Sequence, residues 1–344
     1  MEKMKELSVS VVIPARNERD YIGKCLDSLV KQDYPINLLH IVVVDGSSED
    51  GTIDIVTQYQ QQYGYIHLVM NQRKVTPVAL NLGIMDSDSD VVIILGAHSF
   101  VKEDWIRQNV EALVRSGADC VGGPIESISE TPLSSAISSA MSSPFGVGNA
   151  RFRYSEQEAF VDTVAFGAYR REVFNRIGLF DEELVRNQDD EFNFRLIQSG
   201  GRILLSPLIR SSYYTRGSLG KLWRQYYQYG FWKVRVIQKH RKIPSLRHLV
   251  PPIFAAGILL LPFLSLLHPI ICILTIIIFG IYLLMIILFA FKVWDKKAYR
   301  LIPAIAAAFL ILHFSYGLGF YEGVLHFYIL KRKNKQNRNT LSSR

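Results

Sequence analysis

Three polar clusters in this chain have residue types and spacings that can do chemistry. Gln188-Asp189-Asp190-Glu191 sets three acids in a row where an amphipathic stretch begins. Mutual repulsion among adjacent carboxylates raises at least one pKa, which suits a group that must take up a proton. The helix macrodipole also favours acids at a helix start, so capping accounts for part of the cluster. Pro14-Ala15-Arg16-Asn17-Glu18 and Asp45-Gly46-Ser47-Ser48-Glu49-Asp50-Gly51-Thr52 each follow a short apolar run. A carboxylate at a strand end, such as Asp45, accepts hydrogen bonds from a base or a ribose, and Gly46 and Gly51 let the backbone turn closely around it. The plainer reading is that Asp50 caps the next helix and Gly46 makes a turn, which leaves Asp45 unexplained.

The elements that must position these clusters are legible as an alternation. Val9 to Ile13, Ile41 to Val44, Ile66 to Met70 and Val91 to Leu95 read as strands. Between them Tyr21, Ile22, Cys25, Leu26, Leu29 and Val30 recur at helical spacing, as do Ile53, Ile55, Val56 and Tyr59. Thr76 as cap and Pro77 in the first turn open a further helix. The first hundred residues are thus β-α-β-α-β-α-β, a nucleotide-binding architecture whose ligands sit beyond the carboxyl ends of the strands. Further on, Ala118 to Val121 and Phe160 to Phe166 read as strands, and Ser134 to Ser143 as a mobile helix or loop. A helix begins near Gln188 with Phe192, Leu196 and Ile197 on one face. No internal repeat is present.

The net charge of +8 over 344 residues conceals two opposite halves. Residues 1–191 hold 17 Lys/Arg against 29 Asp/Glu, whereas residues 192–344 hold 22 against 2. A charged fraction of 20% with 12% aromatics excludes a disordered or fibrous chain. The basic half is also the apolar one. From Leu249 to Phe291 there are 43 consecutive residues without an acid, lysine or arginine, enough for two bilayer helices with Leu267-His268-Pro269 as the turn. Leu301 to Tyr321 fits one more. No signal-type apolar core occurs in residues 1–15, so the first 240 residues are expected to remain unexported. Three widely separated cysteines suit a reduced compartment and offer neither a disulfide frame nor a Cys-rich metal site.

The motifs taken together resemble glycosyltransferase family 2. Val-Val-Ile-Pro-Ala-Arg-Asn-Glu at 11–18 and Val-Val-Asp-Gly-Ser-Ser-Glu-Asp-Gly-Thr at 43–52 look like the family's opening. Asn81-Leu82-Gly83-Ile84, Gly167-Ala168-Tyr169-Arg170-Arg171, Gly178-Leu179-Phe180-Asp181 and Gln188 to Arg195 continue it in order, over roughly residues 8–235. Within the family, Gly-Ala-His and Gln-Asp-Asp-Glu most resemble the membrane-tethered glucosyltransferases of succinoglycan biosynthesis. The resemblance implies a GT-A fold, a mostly parallel central sheet flanked by helices, and a nucleotide-diphosphate sugar as donor. It implies that Pro14, Arg16 and Glu18 line the nucleotide pocket, that Asp45 contacts uracil or another base, and that Lys74 or Arg73 reaches the diphosphate. For those two cations the rival reading is a solvated loop charge. Asp189 falls at the position of the family's catalytic base, with Gly167, Ala168, Asp190, Glu191 and Arg195 around the acceptor; for Asp190, capping is the stronger reading.

One departure stands out. Where the family's Asp-x-Asp element holds the cation that bridges the diphosphate, this chain reads Gly96-Ala97-His98-Ser99. His98 replaces the second acid, and imidazole ligates Mn more readily than Mg. Either a metal still binds through His98, the diphosphate and water, or His98 only hydrogen-bonds substrate or loop. A second departure lies in Gln225 to Gly230, a reduced form of the Gln-x-x-Arg-Trp element of processive synthases, with Gln228-Tyr229 in place of Arg-Trp.

The stretch Ser218 to Ile243 interleaves aromatics and cations, which suits single-stranded nucleic acid or a membrane interface. Adjacency to the apolar run decides for the membrane and against nucleic acid. Lys292, Lys296, Lys297 and Arg300 mark a cytoplasmic loop after two spans. A single third span then puts Lys331-Arg332-Lys333 outside, against the same rule, unless residues 301–330 form a hairpin or re-entrant segment.

The expected organisation is a GT-A catalytic domain over 1–215, an interface segment over 216–248, three or four membrane helices over 249–330 and a basic tail over 331–344. The expected activity is inverting transfer of a hexose from a UDP-sugar to a lipid-linked or polysaccharide acceptor, with Mn or Mg as cofactor, at the cytoplasmic face of the cell membrane. The rival in another class is a transferase-like membrane scaffold that has lost its metal site through Gly96. A nucleotidyltransferase is disfavoured because no Gly-rich, Lys/Arg-containing loop follows the first strand.

Overall fold

The structure, a computed structural model, describes residues 7–215, 217–293 and 299–332. Lys296, Lys297 and the tail from Lys333 onward lie outside the described residues. By the density of its internal contacts the chain divides into two units. One combines the residues up to Ser127 with Arg151–Tyr214, and the other combines Ile128–Ala150 with the chain from Thr215 onward.

The first unit begins β1 (Val9–Ala15), α1 (Arg19–Val30), β2 (Leu39–Asp45), α2 (Thr52–Gln62), β3 (Ile66–Met70), α3 (Thr76–Met85) and β4 (Val91–Ile94), the alternation the sequence predicts. It continues through β5 (Ser99–Val101), α4 (Trp105–Ser116), β6 (Cys120–Gly123) and β7 (Ile125–Ile128). After an excursion into the second unit the chain returns as β8 (Ala159–Val161), β9 (Ala165–Arg170), α7 (Arg171–Ile177), α8 (Gln188–Gln198), β10 (Ile203–Leu205) and β11 (Ser211–Tyr214).

The main sheet runs β3-β2-β1-β4-β9-β6-β10-β8, and β5-β11-β7 form a smaller one. The pairs β1/β2, β1/β4, β2/β3 and β6/β10 are parallel, whereas β9 runs antiparallel to both β4 and β6. Continuous β-branched runs form these central strands because both faces are covered. Val9, Val11 and Ile13 point into a core shared with Ile22, Leu26, Ile106 and Leu113 from α1 and α4. Val12, Val42 and Val44 point the other way, into a core with Leu80, Ile84, Phe174, Phe192 and Leu196 from α3, α7 and α8.

Three local expectations are corrected, and one left open between helix and loop is decided. Thr76 is the first helical residue rather than the cap; Val75 holds the cap position in extended geometry with no side-chain hydrogen bond. Phe160 to Phe166 is not one strand but the end of β8 and the start of β9, which pair with different neighbours. Ile197 is exposed rather than sharing the buried face of Phe192 and Leu196. The serine-rich stretch is helical: α5 (Pro132–Met141) starts on a capping box in which Ser134 N–H donates to Thr131 Oγ1 at 3.1 Å and Thr131 N–H to Ser134 Oγ at 2.9 Å.

In the second unit α5 and α6 (Pro144–Val147) join α9 (Leu219–His240), α10 (Val250–Leu264), α11 (Pro269–Val293) and α12 (Ile302–Val324). Ala136, Ile137 and Ala140 of α5 share a core with Ile286, Ile305, Phe309 and Leu312. His313 on α12 bridges the Phe145 carbonyl, 2.7 Å from Nε2, and the Tyr282 hydroxyl on α11, 2.9 Å from Nδ1. Three helices, Leu246–Leu264, Pro269–Val293 and Ile302–Ile329, are long and apolar enough to cross a membrane. Ile253, Phe263, Ile270 and Ile276 on α10 and α11 lie exposed, the pattern of surfaces solvated by lipid. The turn at Leu267-His268-Pro269 falls where the sequence puts it, between α10 and α11.

α9 does not lie as an isolated amphipathic helix. Its contacts with α12 advance together along both helices, from Trp223 against Phe314 to Gln238 Nε2 donating to the Phe327 carbonyl, so the two run parallel. Glycine permits the approach: a Cβ added at Gly230 would stand 2.0 Å from the Tyr316 carbonyl oxygen, and one at Gly319 2.0 Å from that of Tyr227.

Candidate functional site

The parallel register pairs Ala15 with Asp45 and Asp45 with Met70, so β1, β2 and β3 end level with one another. A few residues beyond each end the backbone turns through positive φ at a non-glycine residue: Asn17 at 54°, Ser47 at 59° and Lys74 at 59°. Such conformations cost free energy and persist only where the surroundings enforce them.

Here the surroundings are a hydrogen-bonded loop pair. Asp45, fully buried, accepts Ser48 N–H at 2.7 Å on one carboxylate oxygen and Ser48 Oγ–H at 2.6 Å on the other. Ser48 Oγ accepts Asn17 N–H at 2.8 Å, and Asn17 Oδ1 accepts Glu49 N–H at 3.0 Å. Asp45 is therefore turned into its own loop as an Asx turn rather than presented outward. Asp50 accepts Arg19 N–H at 3.0 Å, Thr52 N–H at 3.0 Å and Thr52 Oγ–H at 2.6 Å, tying together the starts of α1 and α2. Burial pushes its pKa up, but the Thr52 hydroxyl and the Arg19 and Thr52 amides outweigh that and hold it below the usual carboxylate range. The Arg16 side chain lies across Gly46, whose missing Cβ would stand 3.3 Å from Arg16 Cδ. Arg16 Nη1 is buried with no hydrogen-bond partner among the described residues, an orphaned donor beside the strand ends. Pro14, within β1, pairs in register with Val44.

Of the two cations after β3, Arg73 is committed to the Glu182 carboxylate, which also accepts Asn81 Nδ2–H at 3.2 Å. Lys74 is exposed, and no described residue pairs with it. Its turn is set by buried Asn71, whose backbone N–H donates to the Asp45 carbonyl at 2.7 Å and whose Nδ2–H donates to the Val75 carbonyl at 2.9 Å.

After β4 the Gly96-Ala97-His98-Ser99 turn closes through Ser99 N–H donating to the Gly96 carbonyl at 3.0 Å. Ala97 is buried, and Tyr214 N–H donates to the His98 carbonyl at 3.2 Å. His98 Nδ1 lies 3.8 Å from Glu18 Oε1, and its ring meets the Tyr213 ring edge-on at 6.3 Å. Glu18 is only 4% exposed, and its N–H donates to Thr52 Oγ1 at 2.8 Å. A Cβ at position 96 would stand 3.2 Å from the Phe166 ring, which a φ of 49° holds over Gly96. Ser99 Oγ, beneath the same turn, is buried without a partner among the described residues. No group of three metal-ligating side chains occurs among the described residues; at this turn His98 and Glu18 form a pair. Two donors of nitrogen and oxygen type suit a cation that completes its shell with phosphate oxygens and water.

The acids at the start of α8 part company. Asn187, at φ 62°, swings the chain into the helix. Asp189 is exposed and Asp190 half-buried, whereas Glu191 is 2% exposed and clamped by Arg195 through Nε at 2.7 Å and Nη2 at 3.1 Å. Arg195 also donates to the Ile177 carbonyl at 2.6 Å and the Leu179 carbonyl at 2.8 Å, closing the end of α7 onto α8. Glu191 and Arg195 thus form a buried brace, a role different from the acceptor contact their motif implied. Gly167 and Ala168 lie in β9, where Gly167 makes room for the Tyr169 ring, 2.8 Å from its missing Cβ. Tyr169 Oη–H donates to Asn193 Oδ1 at 2.9 Å, and Asn193 Nδ2–H to Thr163 Oγ1 at 2.9 Å. Burial raises the Tyr169 pKa well above its ordinary value. Gln225 is on α9 in the second unit, where its Nε2–H donates to the Tyr229 hydroxyl at 2.7 Å.

Sequence reasoning missed Phe166, Ser99, Asn71 and Ser48. Of these, only Ser48 had a readable signal, an acid followed three residues later by a hydroxyl at a glycine turn.

The comparisons with known proteins bear on the family and the fold. The family model described as glycosyl transferase family 2 matches residues 10–178. A dolichyl N-acetyl-alpha-D-glucosaminyl phosphate 3-beta-D-2,3-diacetamido-2,3-dideoxy-beta-D-glucuronosyltransferase of Methanococcus voltae is 34% identical over 239 residues, covering 67% of this chain and 74% of that one. A succinoglycan biosynthesis protein of Rhizobium meliloti (strain 1021) is 27% identical over 252 residues, covering 73% and 76%. Among solved structures, a mannosyltransferase from Pyrobaculum calidifontis in complex with GDP-Man and Mn2+ superposes with a TM-score of 0.60 at 20% identity, covering 88% of this chain and 86% of that one. The fold is GT-A, and the chain is a glycosyltransferase that belongs to glycosyl transferase family 2.

Proposed function

We propose that this glycosyltransferase moves a hexose, with inversion, from a UDP-sugar to a lipid-linked saccharide at the cytoplasmic face of a membrane. The observation that carries the reading is the division of labour on α8. Glu191 is consumed by Arg195, while Asp189, two residues earlier at the start of the same helix, stands exposed. In the reaction the acceptor hydroxyl gives its proton to the Asp189 carboxylate as its oxygen attacks the anomeric carbon. The bond from that carbon to the diphosphate breaks, and the leaving nucleotide takes the electron pair. The developing phosphate charge needs cations in place beforehand. Arg16, with its orphaned buried donor, and exposed Lys74 supply them from the ends of β1 and β3. A divalent cation held at His98 would supply further neutralisation of the diphosphate when bound.

The relatives support a lipid-linked or polysaccharide acceptor by their names, one acting on a dolichyl-linked sugar phosphate and one serving succinoglycan biosynthesis. The three apolar helices support a membrane setting, and Lys292 and Arg300 at the α11–α12 connection support a cytoplasmic side for it. The test is a donor panel on purified full-length protein with membrane lipid extract, scored by release of nucleoside diphosphate. UDP-hexoses are expected to turn over and GDP-sugars not. Asp189→Asn is expected to abolish transfer with donor binding nearly intact; full activity in that variant refutes the assignment.

A further inference from the structure

We propose that Glu18 supplies to the cation site the carboxylate that position 96 lacks, so that Glu18 and His98 together form the protein's half of a divalent-cation site. The inference rests on the nucleotide-donor reading above, because the remaining ligands would be diphosphate oxygens and water.

Three observations meet here. First, position 96 cannot contribute: it is glycine, and the Phe166 ring lies 3.2 Å from where a side chain would begin. Second, His98 Nδ1 and Glu18 Oε1 stand 3.8 Å apart, too far for a hydrogen bond. Two ligands on one cation with bonds of about 2.1 Å are separated by about 3 Å at a right angle and about 4.2 Å when opposed. The separation of these two atoms lies within that range. Third, both groups are held from outside. The Glu18 backbone is fixed by Thr52 Oγ1, itself fixed by Asp50 at 2.6 Å, and His98 is held through its carbonyl by Tyr214 N–H and along its ring by Tyr213. Such outside support is what orients ligands in a preformed site. A mixed imidazole–carboxylate pair favours Mn over Mg, because Mg demands oxygen ligands.

The competing account is that the two residues only form an ion pair when His98 is protonated. Mn(II) titration of full-length protein in the presence of UDP, with free Mn(II) read by electron paramagnetic resonance, separates the two. Glu18→Gln and His98→Ala are each expected to weaken Mn(II) binding at least tenfold, read at UDP concentrations that saturate each variant. His98→Asp is expected to bring Mg and Mn affinities together. If Glu18→Gln does not fold, Glu18→Asp, which keeps the charge but withdraws it by one methylene, is expected to weaken Mn(II) by a smaller factor. Mn(II) affinity unchanged in Glu18→Gln or in Glu18→Asp overturns the proposal, as does wild-type protein that binds UDP but no Mn(II). Failure of wild-type protein to bind UDP at all would instead overturn the donor reading.

Discussion

The buried brace on α8 gives a prediction whose size follows from the geometry. Removing the Arg195 side chain with Arg195→Met leaves the Glu191 carboxylate, 2% exposed, without its counter-charge. Breaking a buried pair in this way costs about 3–5 kcal/mol. Removing the acid with Glu191→Leu is milder, because Arg195 is 20% exposed and keeps the Ile177 and Leu179 carbonyls; about 2–3 kcal/mol is expected. The double variant leaves no stranded charge and loses only the two carbonyl ties, so its cost should be about 2–3 kcal/mol rather than the sum of the singles. The coupling is then about 3–5 kcal/mol, at or above the upper end for residues in contact. Urea unfolding of the four proteins in one detergent measures it, and transfer activity per folded molecule is read alongside. Single costs that add in the double variant, or an activity loss in Glu191→Leu at unchanged stability, would refute the brace and return Glu191 to the acceptor site.

The helix pair in the second unit offers a test of close approach. Gly319→Leu places a side chain 2.0 Å from the Tyr227 carbonyl oxygen and should separate α9 from α12, seen as a lower melting temperature and faster proteolysis after α9. Asp50 gives a pH test whose sign follows from its lowered pKa. A depressed carboxylate contributes stability that is complete above its usual 3.8 and is lost as pH falls through the lower folded value. Asp50→Asn should therefore be less stable than wild type at neutral pH, with the gap closing below about pH 4; a gap that persists in acid would count against the assignment.

Much of the first unit was legible because its central strands are buried on both faces. Val9 to Ile13 and Ile41 to Val44 read as near-continuous apolar runs, and punctuation such as Pro77, Gly117 and Pro269 lies where elements begin or end. The expected cap at Asp50 was legible only in part: Gly51 holds the cap position of α2, and Asp50, one residue earlier, accepts the Thr52 amide and hydroxyl. The division of α8 was only half legible. The i, i+4 spacing of Glu191 and Arg195 permits a pair, but whether that pair is solvated or buried depends on Phe192 stacking on Phe180 at 4.4 Å, a contact made across the core. The stretch around Phe166 was not legible at all, since nothing in Val164-Ala165-Phe166-Gly167 marks the phenylalanine, rather than the glycine, as the residue with positive φ.

That misplaced strain explains why the departure at Gly96 reads differently in the sequence and in three dimensions. In the sequence, glycine for aspartate is a loss. In the structure the space beyond Gly96 is filled by a ring that a strained backbone holds there, and the Glu18 carboxylate, from a different loop, stands 3.8 Å from His98 Nδ1. Strain at Phe166 costs free energy that packing elsewhere must offset, so it would not persist around a site that had merely decayed. The combination of an occupied position 96, a buried acid facing His98 and an orphaned Arg16 donor is that of a site rebuilt around a different ligand set, which argues for a working transferase over a scaffold with a lost centre.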